Sequence, residues 1–451
     1  MIRMRLSDLT SVLGAQRHGR DIEFSGCTTD SRKLSPEALF VALRGPHFDG
    51  HDFVDAVFAR GAAAAVLEHP IGGERPILVV PDARRALGLI AAHWRQRFRL
   101  PLVAVTGSNG KTTVKEMLMA ILSRCAQVLG TQGNLNNDIG VPLTLFNLDE
   151  RYAYAVIEMG ANHPGEIAAL CELAQPSVAV ITQCSPAHLK GFGSIEGVAR
   201  AKGEIFTRLG PGDTAVINAD DPYAGLWRTL AGGCRQLSFG FEASPDVTAT
   251  VVDTASVLDG SKLRLHTPAG SIDVHIQLLG RHNISNALAA AASALALGIE
   301  IEDIAAGLQS MRAVQGRLQP RVGRRGTRVF DDTYNANPGS LKAALEFLAS
   351  CPGEPWLVLG DMGELGPEAA GYHHQAGVLA RHLGIRRLYA TGDLARATVD
   401  GFGPGGRYFA TIDTLVESLG GDLHPLVTVL VKGSRSMRME RVVGFLQQEG
   451  E

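Results

Sequence analysis

Residues 106–113 read TGSNGKTT, a glycine-rich turn that ends in a lysine and two threonines. The common phosphate-binding pattern G-x-x-x-x-G-K-[ST] needs a glycine at 105, where this chain has Val105, so the turn is two residues short of that form. Its chemistry is still that of a polyphosphate cradle. A turn between a buried strand and a helix start aims backbone N–H groups and the positive helix end at one point. Gly107, Ser108, Asn109 and Gly110 supply the turn, Lys111 a point charge for the outer phosphates, and Thr112 and Thr113 hydroxyls, with Thr112 placed to help hold Mg²⁺. The alternative is a β-to-α turn that uses glycine for tight geometry alone. The combination of Gly107, Gly110, Lys111 and Thr112 in a strand–helix context favours nucleotide binding.

Further clusters lie at comparable places. In VIEMGANHPGEI, Glu158 closes an apolar strand, where an uncompensated carboxylate costs several kcal/mol, about what a nearby cation recovers. That cation is expected to be the Mg²⁺ of the phosphate loop; a carboxylate simply emerging at the surface is the other reading. In QCSPAHLKGFGS, His188 is a neutral imidazole available to a metal, although a lone histidine is more often structural. By composition Lys202, in VARAKGEIF, reads as a solvated lysine. Asn283, in GRHNISN, is either a helix cap or an amide that reads a purine edge. Arg317 and the run Asp331, Asp332, Tyr334, Asn335 and Asn337 crowd polar groups onto strand-end loops, where α/β domains bind ligands and where ordinary turn chemistry also uses Asp and Asn.

The elements that must position these groups follow from periodicity. PLVAVTG, YAVIEM, VAVIT and TAVIN are short β-branched apolar runs separated by helical patterns, which predicts a parallel sheet covered on both faces. Between about 235 and 280, VTATVV, SKLRLHT and SIDVHIQL alternate, which predicts antiparallel strands appended to that sheet. Helices are expected at 83–98, 283–297 and 301–310, and a further βα series from 317 onward. Boundaries near 99 and 314 divide the chain into residues 1–98, 99–314 and 315–451, an α/β protein of three domains.

The 451 residues carry a net charge of −3 and no long basic run, which leaves no footprint for nucleic acid or an anionic membrane surface. No apolar stretch is long enough to span a bilayer, and no segment predicts a secretion signal. The six cysteines are scattered without zinc or disulfide spacing, as suits a reducing compartment; a cytoplasmic protein is expected.

Taken in order, TGSNGKTT, NLNNDIGVPLTL, VIEMGANHPGEI, AHLKGFGS, RAKGEIF, GRHNISNALAA, QGRLQP and DDTYNANPGS resemble the motifs of the Mur ligases, over essentially the whole chain. These are ATP-dependent amide-forming enzymes of peptidoglycan precursor synthesis, and their loop has the short form G-x-x-G-K-[ST]-[ST], which Gly107 to Thr113 matches. The resemblance implies an N-terminal α/β domain for the UDP end of the substrate, a central ATPase domain with a parallel sheet plus a small antiparallel one, and a Rossmann-like C-terminal domain. It implies Lys111, Thr112 and Glu158 at ATP and Mg²⁺; His188 and Lys202 at a second Mg²⁺, with Lys202 as N6-carboxylysine; Asn283 at adenine; and Arg317 and Asp332 reaching the nucleotide. Thr29, Asp30, Ser31, Arg32 and Arg44 resemble the uridine diphosphate region. TDSRKL, DDTYNANPGSLKAAL, LGDMGELG and KGSRSMRMERVV resemble the last member of the series. That implies UDP-N-acetylmuramoyl-tripeptide and D-alanyl-D-alanine as substrates, the dipeptide near Asn335, Asn337 and Asp361 to Leu365, and a monomer. Two alternatives stand beside it: another Mur-type or folylpolyglutamate-type ligase, against which TYNANP and GDMGELG argue, and a nucleotide-dependent regulatory module, which needs neither Arg317 nor Asp332.

Overall fold

The computed structural model describes residues 1–253 and 258–447. Its centre is a six-stranded, all-parallel sheet in the order Val128–Gly130, Tyr154–Glu158, Leu102–Thr106, Val178–Ile181, Thr214–Asn218 and Arg235–Phe239. The strand Leu102–Thr106 is buried at every residue, as a β-branched run covered on both faces must be. Its register pairs Val105 with Glu158 on one side and Thr106 with Ile181 on the other. The strand ends that precede the phosphate loop, Glu158 and the 182–188 segment therefore share one edge of the sheet.

One face of this sheet packs on the helices Lys111–Leu122 and Arg281–Ala296 through Val103, Val105, Val114, Leu118, Leu288 and Ala291. The alanines of the second helix let it lie close beneath the strands, and each fully buried valine or leucine contributes ~1.5–3 kcal/mol. The other face shares a core with the helix Ala83–Arg95, through Leu87, Ile90, Ala104 and Ile157.

The strands Thr248–Asp253, Ser261–Thr267 and Gly270–Ile276 are antiparallel, as expected, but they form a three-stranded sheet of their own instead of extending the parallel one. Leu263, Leu265, Val274 and Ile276 give the reason: their apolar face packs into the core beneath the alanine-rich helix. The backbone link to the parallel sheet is an isolated bridge at Val247, whose N–H donates to the Ser238 carbonyl (3.0 Å) and whose carbonyl accepts from Gly240 N–H (3.1 Å). Residues Arg235–Phe239, which the same stretch of sequence assigned to this group, are the last parallel strand of the central sheet.

Before the central sheet lies a five-stranded mixed sheet in the order Gln16–His18, Ile77–Val79, Ala64–Leu67, Leu39–Val41 and Cys27–Thr28. After it comes a six-stranded sheet in the order Gln319–Val322, Arg328–Asp332, Val427–Lys432, Glu354–Gly360, Arg387–Thr391 and Gly406–Phe409, parallel except for its first strand.

Candidate active site

A cleft of about 1590 Å³ runs between the central and C-terminal sheets, and the phosphate loop forms its floor. Gly107 has φ +150 and Gly110 has φ +82, and a β-carbon at Gly107 would overlap the Thr182 hydroxyl. Glycine is required at both positions by sterics. The loop is pinned to the neighbouring strand end: Ser108 N–H donates to the Gln183 carbonyl (2.9 Å), Ser108 Oγ to the Ser185 carbonyl (3.0 Å), and Thr182 Oγ1 to the Asn109 carbonyl (2.5 Å). Gly110 then caps the helix Lys111–Leu122, leaving the first-turn N–H groups to face the cleft.

Lys111 Nζ donates to the Gly107 carbonyl at 2.7 Å. Burial pulls its ammonium below the usual range, with Arg317 adding to the shift and Glu158 opposing it. Thr112 Oγ1 donates to Glu158 Oε2 at 2.9 Å, and Asn136 Nδ2 to Glu158 Oε1 at 2.8 Å. Glu158 is only 3% exposed, so both carboxylate oxygens are fixed beneath the loop instead of emerging at a surface. From the far wall, Arg317 Nη2 reaches Thr112 Oγ1 at 3.3 Å while its guanidinium sits 4.1 Å from the centre of the Tyr334 ring. Arg317 Nε is buried without a hydrogen-bond partner, a cost that an anion in the cleft would relieve.

Composition makes Lys202 a solvated lysine, and here the structure differs. Lys202 is 2% exposed, and its side-chain amine makes no hydrogen bond or ion pair among the described residues. Burial first, and Lys111 second, lower its pKa to about 7. The helix Ile195–Gly203 turns this side chain inward because Val198, Ala199 and Ala201 on the same face belong to the core. His188, at φ 54, lines the cleft with it, and its Nδ1 lies 2.5 Å from Oε2 of Glu364, in the loop that follows the strand Glu354–Gly360.

Asn283 does not cap its helix; Gly280 does. Asn283 lies inside the first turn, donates to the Leu279 carbonyl (2.7 Å) and accepts from Asn286 Nδ2 (3.0 Å), facing the cleft beside His282. Asp332 accepts from Leu318 N–H (3.1 Å) and pairs with Lys432 Nζ (2.5 Å). Asn335 accepts from Ala336 N–H through its side chain. Asn337 caps the helix Pro338–Ser350 and exchanges hydrogen bonds with Asn109.

Ser108, Asn109, Gly110, Lys111, Thr112, Thr113, Glu158, His188, Lys202, Asn283, Arg317, Asp332, Asn335 and Asn337 all line the cleft, and Gly107 shapes it from below. Thr29, Asp30, Ser31, Arg32 and Arg44 do not line it: Asp30 accepts from Arg32, and Arg44 pairs with Asp49. Among the lining residues the N-terminal segment is represented by Arg84, which is ion-paired with Asp138. Asn136, Thr182 and Lys432 went unassigned in the sequence, the last two because their partners Asn109 and Asp332 lie 73 and 100 residues away. NLNNDIG and LGDMGELG were the local signals for Asn136 and Glu364.

A parallel sheet with a glycine loop, an inward lysine and a carboxylate at the adjacent strand end defines a mononucleotide-binding α/β protein, here closed by a second α/β body. Three family descriptions match in sequence: Mur ligase family, catalytic domain (residues 23–95); Mur ligase middle domain (105–294); and Mur ligase, glutamate ligase domain (316–435). The chain belongs to the Mur ligase family. It is 46% identical over 453 residues, 100% of both chains, to the UDP-N-acetylmuramoyl-tripeptide–D-alanyl-D-alanine ligase of Escherichia coli (strain K12). Its structure is similar to that of MurF from Acinetobacter baumannii, with a TM-score of 0.94 and 38% identity over 99% of each chain. It is also similar to MurF ligase from Thermotoga maritima in complex with ADP, with a TM-score of 0.85 and 29% identity over 94% of this chain and 97% of that one.

Proposed function

We propose that the protein is a cytoplasmic ATP-dependent ligase that joins D-alanyl-D-alanine to UDP-N-acetylmuramoyl-tripeptide, completing the pentapeptide precursor of peptidoglycan. The observation that carries this is the convergence on one cleft of Lys111, the Thr112–Glu158 pair and, from the other body, Arg317 with its unpartnered Nε. An enzyme that merely held a nucleotide would not need a guanidinium delivered from a second body to the loop's outer end.

A carboxylate does not condense with an amine in water, because its oxygen leaves poorly. In the proposed route a terminal carboxylate oxygen of the tripeptide attacks the γ-phosphorus, the bond to the β–γ bridging oxygen breaks, and ADP departs. The amine of D-alanyl-D-alanine then attacks the acyl carbon, the carbon–oxygen bond to phosphate breaks, and the amine loses its proton. Lys111 and Arg317 neutralise the charge spread over the transferring group, and the loop N–H groups fix the phosphates. The facing bodies exclude water, which would hydrolyse the acyl phosphate. Asn283 meets adenine and Asp332 approaches the nucleotide. Thr29, Asp30, Ser31, Arg32 and Arg44 hold the uridine diphosphate end, and Asn335 borders the incoming dipeptide. The chain is read as three domains, 1–98, 99–314 and 315–451, acting as a monomer.

The hydroxyl of Thr112 and the buried carboxylate of Glu158 are hard oxygen donors, the set a magnesium ion takes, and they would hold one Mg²⁺. A buried amine whose pKa is lowered to about 7 by desolvation carries far more of the neutral form near neutral pH than a solvated lysine does, and the neutral amine is the form that reacts with CO₂. As N6-carboxylysine, Lys202 would hold a second Mg²⁺ together with His188. When bound, the two ions supply charge neutralisation on the phosphates. Among the described residues no helix is long and apolar enough to cross a membrane.

An isotope experiment tests the route. With ¹⁸O in the tripeptide's terminal carboxylate, one labelled oxygen is expected in the released phosphate; phosphate free of label would sink the acyl phosphate.

A further inference from the structure

Asn109 and Asn337 are 228 positions apart and belong to different bodies, yet their side-chain amides exchange hydrogen bonds: Asn337 Nδ2 donates to Asn109 Oδ1 at 2.8 Å, and Asn109 Nδ2 donates to Asn337 Oδ1 at 3.2 Å. Each amide also makes a further hydrogen bond within its own body. Asn109 Nδ2 donates to Ser185 Oγ at 2.9 Å, and Asn337 Oδ1 accepts from Ser340 N–H at 2.9 Å as the cap of the helix Pro338–Ser350. An amide offers two N–H donors and one carbonyl oxygen. The Asn109 side chain therefore has neither N–H free for a phosphate, and the Asn337 side chain has a single N–H left for a substrate.

The same seam is closed by shape. A β-carbon at Gly339, in the first turn of that helix, would lie 2.8 Å from both Cβ and Oγ of Ser185, so the helix start fits against the 182–188 segment only without a side chain. Asn109 immediately precedes Gly110, the cap of the helix Lys111–Leu122, whose unpaired first-turn N–H groups face the cleft. Any movement of the C-terminal body is thus transmitted to the donors' aim.

We propose that Asn109 and Asn337, with Gly339 against Ser185, form a latch that seats the C-terminal body on the phosphate loop, and that Asn337 is a positioning residue and not a contact of the incoming dipeptide. The proposal rests on the ligase reading above. Because the latch joins the loop to the closing body, linkage requires that ATP favour closure by the same factor by which closure favours ATP.

The test uses the full chain and a non-hydrolysable ATP analogue, with compaction followed by solution X-ray scattering and binding by calorimetry. Asn337→Asp keeps a good helix cap but loses the donor to Asn109 Oδ1. Gly339→Ala removes no polar atom and adds helix propensity, but pushes the seam apart. Both variants are expected to keep the wild-type Tm, to require about 10-fold more analogue for half-maximal compaction, and to bind the analogue more weakly by the same factor. Under turnover both lower kcat while the KM for D-alanyl-D-alanine changes little. The latch is refuted if both variants compact at wild-type analogue concentrations, or if Asn337→Asp raises the dipeptide KM while analogue binding is untouched. Wild-type protein that neither binds the analogue nor releases phosphate would instead refute the ligase reading itself.

Discussion

At the scale of single residues, Lys202 shows how much a partner-poor environment changes a side chain. Its type and helical setting describe a surface lysine, and only the packing of the helix Ile195–Gly203 turns it into a buried amine with a pKa of about 7. Two outcomes follow. In bicarbonate buffer enriched in ¹³C, the wild type is expected to show a carbamate carbon resonance that Lys202→Ala lacks, and that variant should lose activity and recover part of it with added short carboxylates; a fully active Lys202→Ala would contradict the assignment. In buffer free of CO₂ the lysine is a pH-linked term. Between about 7 and the ordinary value of 10.5, the unfolded chain keeps the proton that the folded chain has released, so stability rises with pH across that window relative to Lys202→Met. A flat difference between the two urea-unfolding curves from pH 7 to pH 10 would show the amine to be solvated. Gly107 and Lys111, by contrast, were legible from type and spacing alone, because the conformation and charge they supply are local.

Among the elements, the four buried strands at 102–106, 154–158, 178–181 and 214–218 could be read from their β-branched runs, since a strand covered on both faces has little else to be made of. The small antiparallel sheet was implied by the family resemblance, while periodicity alone read its strands as appended to the parallel sheet, because side-chain packing decides the matter. The glycine cap at 280 was not legible, because the geometry of the incoming chain sets it. Pairings across the sheet are equally hidden. Asp332 and Lys432 are register partners on adjacent parallel strands, 100 residues apart, and Lys432 is 3% exposed. Removing one partner of such a pair leaves a charge without compensation. Lys432→Met is expected to lower the stability of the C-terminal body by ~3 kcal/mol in urea titration, and Asp332→Asn in the same chain to restore part of it. An unchanged urea midpoint would show the pair to be incidental.

In the whole molecule, the site belongs to no single body. The central body supplies Lys111, Thr112, Glu158, His188 and Lys202 from strand ends, loops and helices, while the C-terminal body supplies Arg317, Asp332, Asn335 and Asn337, and the cleft between them is where a reactive acyl phosphate would be shielded. Composition and periodicity placed each half of this set on strand-end loops, but only the packing of the two sheets against each other brings Arg317 to Thr112 and Asn337 to Asn109. The N-terminal residues Thr29 to Arg32 and Arg44 stand apart from the cleft. A site divided in this way consumes ATP only to make an amide between two particular partners. Phosphate release measured with UDP-N-acetylmuramoyl-tripeptide and D-alanyl-D-alanine, together and singly, tests it most directly. Release is expected to need both substrates and to match pentapeptide formed mole for mole; release at the same rate without the dipeptide would contradict it.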